Sequence, residues 1–214
     1  TDEDSAFSFT IPSDTFTDID GDSLTVSATL SDGGALPAWL NFDTTTLTFS
    51  GTPANDDVGT LDVRVTATDG QGGSVDDVFS LEVANTNDAP VAEGDVGSTL
   101  EDTPVVLNIA DLLANDSDED GDALNILSVS NFIGGVAVLD SVAGTITFTP
   151  SAGYNGTASF DYTVEDGHGA EVNASVTLEV TAQNDEPVVN TAISDQSTDE
   201  DSAFSFTIPS DTFT

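Results

Sequence analysis

Leu61-Asp62-Val63-Arg64-Val65-Thr66-Ala67 alternates apolar and polar residues without a break. A period of two marks a strand with one buried face, because successive side chains leave a pleated chain on opposite sides. The same alternation places Phe160, Tyr162 and Val164 between Ser159, Asp161 and Thr163, and recurs at Ala174, Val176, Leu178 and Val180. Phe7, Phe9 and Ile11 repeat it near the start. Turn-forming residues punctuate these runs, as at Asp32-Gly33-Gly34 and Asp69-Gly70-Gln71-Gly72-Gly73. No stretch sustains helical spacing, and Ala110–Ala114 is at most one turn. The chain therefore reads as all-β.

Working outward, the chain repeats itself. Residues 1–17, TDEDSAFSFTIPSDTFT, return letter for letter as residues 198–214. An identity of that length marks a tandem array with a period of 197 residues. A diverged half-period lies inside it. T-x-E-D-[ST] occurs at 1–5, 99–103 and 198–202, D-x-D-G-D at 18–22 and 118–122, and N-D-x-P at 87–90 and 184–187. Each unit thus holds two related domains of about 98 residues, a size that suits a seven-stranded sandwich. A β-barrel is the alternative arrangement. The expected domains are 1–88 and 89–185, with 186–214 opening the next repeat.

Composition narrows the function. Lys+Arg number 1 against 40 Asp+Glu, a formal charge of −39, and Arg64 alone cannot neutralise a nucleic-acid backbone. An anionic membrane surface repels such a chain, and no apolar run is long enough to span a bilayer. Hydrophobic residues make up 37%, including 12 Phe, which is too apolar for a disordered acidic tail. The absence of Cys removes disulfides and thiol chemistry, so a cysteine-free secreted domain of this kind needs another staple.

The placement of the acids points to that staple. Asp18, Asp20 and Asp22 surround one glycine, and Asp116, Asp118, Glu119, Asp120 and Asp122 surround another. A charged surface kept only for solubility would scatter its carboxylates; clustered ones repel unless a cation joins them. Hard oxygen donors suit Ca²⁺, which accepts six to eight, better than Mg²⁺. An EF-hand does not fit, since Leu127 stands where its twelfth-position Glu belongs. Asp22 and Asp122 read as turn residues whose side chains bond local backbone.

N-D-A-P at 87–90, Glu101, an apolar strand from Val105 to Ile109, Asp118/Asp120 and the Asp166-Gly167 hairpin follow in an order that resembles the cadherin family, and especially the bacterial cadherin-like repeats of long RTX-type adhesins. Residues 1–88 look like the dystroglycan-type subfamily, through Asp18–Thr25, Leu36-Pro-Ala-Trp-Leu-Asn-Phe42 and Phe49-Ser-Gly-Thr-Pro53. Residues 89–185 look like the tandem cadherin-like repeat, through Ala114-Asn-Asp-Ser-Asp118 and Phe148–Tyr154. The resemblance implies two tandem Ig-like/cadherin-like Greek-key β-sandwiches in an elongated array, with Ca²⁺ between successive domains.

Carried onto this sequence, the resemblance assigns Glu3, Asp56 and Asp57 to the base of the first domain. Asn85, Asn87 and Asp88 form the linker, and Asp118, Asp120 and Asp166 the top of the second. That set implies about three Ca²⁺. Asp18, Asp20 and Asp69 are the matching top of the first domain, and Glu101, Asn184 and Asp185 begin the lower site of the second. Pro187–Gln196 and Ala203–Pro209 would be the opening strands of the following repeat, while domain 1 lacks a first strand. Another copy's segment is expected to fill the edge so exposed.

The remaining distinctive residues read plainly. His168 sits in a turn with no nucleophile motif near it, so no enzyme is expected. Trp39 is flanked by apolar residues and reads as core; Arg64 pairs with a surface acid, and Thr44–Thr46 are strand-edge residues. The expected function is a Ca²⁺-rigidified spacer of an extracellular bacterial adhesin or surface fibre, partnered by neighbouring copies of itself. The alternatives are a subunit of a non-covalent filament joined by strand addition, and a carbohydrate- or protein-binding module.

Overall fold

The computed structural model describes residues 1–212, and it is all-β but for single turns of helix. In the first sandwich β1 (Phe7–Thr10), β4 (Thr48–Gly51) and β3 (Asn41–Asp43) form one sheet, in the order β1-β4-β3. The other sheet, β2-β5-β6, joins β2 (Thr25–Leu30), β5 (Gly59–Thr68) and β6 (Ser74–Val83). Leu61–Ala67, the stretch that decides the fold by its alternation, lies in β5 and buries Val63, Val65 and Ala67.

Those residues meet Phe49 from the facing sheet in a core that includes Ile11, Val26, Leu40 and Leu81. Phe49 is fully buried and meets Phe79 of β6 edge-on at 5.5 Å and Phe42 of β3 at 4.5 Å. Aromatic pairs at such distances add to the area they bury; Phe42–Phe49 packs across neighbouring strands of one sheet, and Phe49–Phe79 joins the two sheets face to face. Trp39 packs half-buried against this core, edge-on to Phe7 at 6.5 Å, as a core residue should.

The second sandwich has one strand more. Its sheets are β10-β11-β8, from Gly135–Asp140, Thr145–Pro150 and Val105–Asn108, and β7-β13-β12-β9, from Asp95–Leu100, Glu171–Thr181, Gly156–Glu165 and Asn125–Ile133. A one-turn helix, α1 (Ile109–Leu112), buries Leu112. Phe148 of β11 stacks on Phe160 of β12 at 6.0 Å across the sheets, and Ile146, Tyr162, Leu178 and Val180 are also buried. The extra strand, β7, runs parallel to β13, Asp95 opposite Val176 through Leu100 opposite Thr181.

The chain divides into two compact units that cut across these strands. The first comprises Thr1–Glu93, Leu113–Leu127 and Thr163–Ala174, and the second Gly94–Leu112, Ser128–Tyr162 and the chain from Ser175 on. The first unit thus takes in two acidic loops, 113–127 and 163–174, from the end of the second sandwich. No helix among the described residues is long and apolar enough to cross a membrane.

The strands expected over Pro187–Gln196 and Ala203–Pro209 are not formed; both stretches are exposed and irregular. A strand needs a neighbouring ladder to satisfy its backbone, and among the described residues these stretches have no more than a single bridge, at Val189. The Asn190 N–H on the Thr212 carbonyl at 2.8 Å holds the ends of this segment together. Thr44–Thr46 form a turn rather than a strand edge, because Asp43 Oδ1 accepts the N–H groups of Thr45 and Thr46 at 2.7 and 3.2 Å.

Candidate metal centre

The two D-x-D-G-D loops close in the same way. Asp18 Oδ1 accepts the N–H groups of Asp20 at 2.9 Å and Asp22 at 3.1 Å. Asp118 Oδ1 accepts those of Asp120 at 3.0 Å and Asp122 at 3.2 Å. Gly21 (φ 82°) and Gly121 (φ 77°) take the left-handed conformation that brings the last N–H back, which an L side chain would strain. The repeated hairpin turn also closes on an aspartate. Asp69 Oδ1 accepts Gln71 and Gly73 N–H at 2.7 and 2.9 Å, and Asp166 Oδ1 accepts His168, Gly169 and Ala170 N–H at 2.7, 2.9 and 3.2 Å.

The linkers repeat too. Glu3 Oε1 accepts Thr86 N–H at 2.8 Å, and Glu101 Oε1 accepts Gln183 N–H. Asn87 and Asn184 each donate their amide to the next residue's carbonyl, at 3.0 and 3.1 Å.

Within the first unit these parts converge. Asn87 Nδ2 also donates to Asp166 Oδ2 at 2.7 Å, and Asp88 N–H to Asp120 Oδ2 at 2.7 Å. One carboxylate oxygen each from Glu3, Asp88 and Asp120 lies within 4.8 Å of the others, and a second group of Asp118, Asp120 and Asp122 meets the same limit. Asp120 joins the two. Asp118 Oδ2, Asp120 Oδ1 and Glu3 Oε2 are buried without a hydrogen-bond partner. Glu3 itself is 1% exposed and Asp166 2%.

Buried anionic oxygens without partners are costly, and native proteins rarely leave them so. The pKa values follow the same geometry. Burial, then the charges of Asp4, Asp120 and Asp118, hold Asp88 above the ordinary carboxylate range. Asp166 goes the other way. The Asn87 amide, helped by the three backbone N–H groups of its turn, outweighs burial and holds it at about 2.

The donor set is entirely hard oxygen, and the chain's single guanidinium is engaged elsewhere: Arg64 donates to the Ser31 carbonyl at 2.6 Å and faces Asp76 at 3.6 Å. Oxygen-rich and undercompensated, this cluster fits a calcium-type cation.

Six of the residues singled out by sequence come together here: Glu3, Asp88, Asp118 and Asp120 in the carboxylate groups, with Asn87 and Asp166 hydrogen-bonded beside them. Asp56 and Asp57 belong to neither group. They lie in a 3₁₀ turn, where Asp57 Oδ2 accepts the Ala54 N–H at 3.0 Å. Asn85 is exposed on the linker. Asp18 and Asp69 line a common cleft, with Asp20 exposed beside them. Glu101 is buried and receives the Asn155 amide at 3.4 Å, while Asn184 and Asp185 are exposed.

Asp122 departs from its reading as a local turn residue. Its backbone N–H closes the loop, but its carboxylate joins the second group and contacts His168 Nδ1 at 2.8 Å. The signal was present in the D-x-D-G-D alternation. What sequence spacing could not supply was the turn at Gly121 that aims the side chain inward. The Asn55 amide on the Glu119 carbonyl is another contact of this loop that no motif announces.

Residues 86–181 match the family described as Cadherin-like domain. The second sandwich is a cadherin-like domain. Residues 1–84 match the family described as Putative Ig domain, so an Ig-like repeat precedes the cadherin-like one. No curated protein sequence matches the chain.

Among solved structures, human CDH23 EC21-23 is 17% identical at a TM-score of 0.47, covering 78% of this chain and 66% of that one. The human Desmocollin-1 ectodomain is 11% identical at 0.33, covering 79% and 36%. The endo-fucoidan hydrolase MfFcnA4 from glycoside hydrolase family 107 is 21% identical at 0.36, covering 86% and 27%. The chain therefore spans about a quarter of that hydrolase's length.

Proposed function

We propose that this chain is a Ca²⁺-rigidified spacer repeat of a large extracellular bacterial adhesin or surface fibre, without catalytic activity of its own. The observation that carries the reading is the set of buried, unpartnered oxygens of Glu3, Asp118 and Asp120 in one acidic cluster. Glu3 comes from the start of the chain, Asp88 from the linker and Asp118 and Asp120 from a loop of the cadherin-like domain, so a cation among them would tie three stretches of backbone together.

Bound Ca²⁺ would supply the positive charge that these oxygens lack. Glu3, Asp88, Asp118, Asp120 and Asp122 would hold it, with Asn87 and Asp166 positioning the linker. A site that exists only in the folded arrangement turns binding energy into stability. Extracellular calcium suffices for sites of modest affinity, in keeping with the location proposed. The acidic surface speaks against nucleic acid as a partner, and an adhesive ligand would belong to another part of such a fibre.

The test is a calcium titration of the chain with melting and solution scattering recorded together. Stabilisation and a reduced spread of interdomain distances are expected. A profile and melting temperature unmoved by chelation would overturn the proposal.

A further inference from the structure

The cadherin-like sandwich carries charge on one of its two outer faces. In β7-β13-β12-β9 the residues that alternate with the buried rows of β12 and β13 include Asp161, Glu165, Glu171 and Glu179. In β10-β11-β8 the outward residues are Val106, Val136, Val138, Thr145, Thr147 and Thr149, alternating with buried Ala137, Ile146 and Phe148. From Ala123 to Phe160 the only charged residue is Asp140, in a chain of formal charge −39. Asp140 stands at a corner of this face, and its Oδ1 accepts the Val142 and Ala143 N–H groups at 3.1 and 2.9 Å.

The ladder register sets the valines together. Val138 lies opposite Thr147 and Thr147 opposite Val106, while Val136 lies opposite Thr149. The three valines are 54–63% exposed. Strand formation does not require them. The matching turn acid of the first sandwich is Asp43, and the row two residues before it, Asn41–Ser50–Ser8, holds the place of Val138–Thr147–Val106. Polar residues build that row equally well, so contiguous exposed valines here point to an occupant.

Charge says which occupant. A second copy of this acidic chain is repelled by any surface that carries carboxylates, and this face presents it with none but the corner Asp140. Two flat sheets of small β-branched side chains pack well face to face, about 10 Å apart. Size says how. Strand spacing and rise give the face about 300 Å², well under the about 800 Å² per partner of a stable interface. One copy therefore holds another only fleetingly. The tandem array changes this, because the face returns every 197 residues, and a second contact between two arrays already joined at one is intramolecular.

We infer that the β10-β11-β8 face is a self-association surface through which two arrays of this repeat pack on each other. Val106, Val136 and Val138 meet the same residues of the second copy, sheet on sheet, and the charged sheets stay in water. The pairing does not rest on the metal reading, since none of these residues belongs to the acidic cluster.

The test is sedimentation velocity on the 214-residue chain and on a protein of four consecutive repeats, over a sodium chloride series, with calcium and again with chelator. The four-repeat protein should associate at concentrations about a hundredfold below those the single chain needs. Salt should strengthen the association, because it screens repulsion between carboxylates and leaves the uncharged contact intact. Val106→Thr, Val136→Thr and Val138→Thr together, in every repeat, keep the β-branch of each side chain and should abolish association without moving the melting temperature. Thr147→Asp should abolish it as well, by placing a charge at the centre of the face.

Association that survives the threonine variant, that weakens as salt is added, or that is no stronger in four repeats than in one would overturn the inference. So would a four-repeat protein that stays single throughout, whether or not it binds phosphatidylcholine vesicles, the arm that would give the face to a lipid surface instead.

Discussion

The side-chain amide of Asn87 sits 2.7 Å from Asp166 Oδ2, tying the linker to a turn some eighty residues further along the chain. One neutral donor is thereby spent on one of the most buried carboxylates of the cluster. Glu3 and Asp120 each take one backbone N–H, from Thr86 and Asp88, and keep a second oxygen buried without a partner, and that asymmetry sets up measurable consequences.

Asn87→Ala removes the largest influence on Asp166, whose carboxyl should then titrate above its present value of about 2. The N–H groups of His168, Gly169 and Ala170 remain, so it should stay below the ordinary 3.8. A carboxyl-carbon NMR titration in chelator reads this directly.

The pH dependence should change sign. Asp88 has a raised folded pKa, so it binds its proton more tightly when folded. Its contribution appears as pH falls through that raised value and is complete below 3.8. Asp166 has a lowered pKa, so its contribution is present above 3.8 and is lost as pH falls from there toward about 2. In chelator, Asp88→Asn should melt higher than wild type at pH 7, and the difference should vanish below 3.8. Equal melting curves at neutral pH would contradict the crowding of Asp88 by Asp4, Asp118 and Asp120.

Glu3→Gln should weaken calcium binding by about tenfold or more, roughly 1.4 kcal/mol, while its amide oxygen still accepts the Thr86 N–H. Calorimetric titration measures the affinity. Little loss would place the cation away from Glu3.

Phe49→Ala and Phe148→Ala should each cost about 3–5 kcal/mol in denaturant unfolding, since both rings are fully buried between sheets. Val142→Ser, at a fully exposed turn position, should change stability by no more than about 0.5 kcal/mol.

Local chemistry alone determined much of this protein. Alternation in Leu61–Ala67 and Phe160–Val164 specifies strands because pleating sends neighbours to opposite faces, whatever the partner strand. The Asp loops were legible for the same reason: aspartates within five residues bond their own backbone, and the glycine that permits it is written between them. Repetition of T-x-E-D, D-x-D-G-D and N-D-x-P carried the two-domain reading and most of the acidic site.

Only tertiary structure decided which acids meet. Asp122 enters the cluster and Asp57 turns back onto Ala54, although their spacing looked equally suited to the opposite outcomes. The 187–196 stretch likewise has strand chemistry and no strand. A side chain's destination, and a strand's existence, depend on surfaces tens of residues away, and the free energy of those meetings is absent from any local pattern.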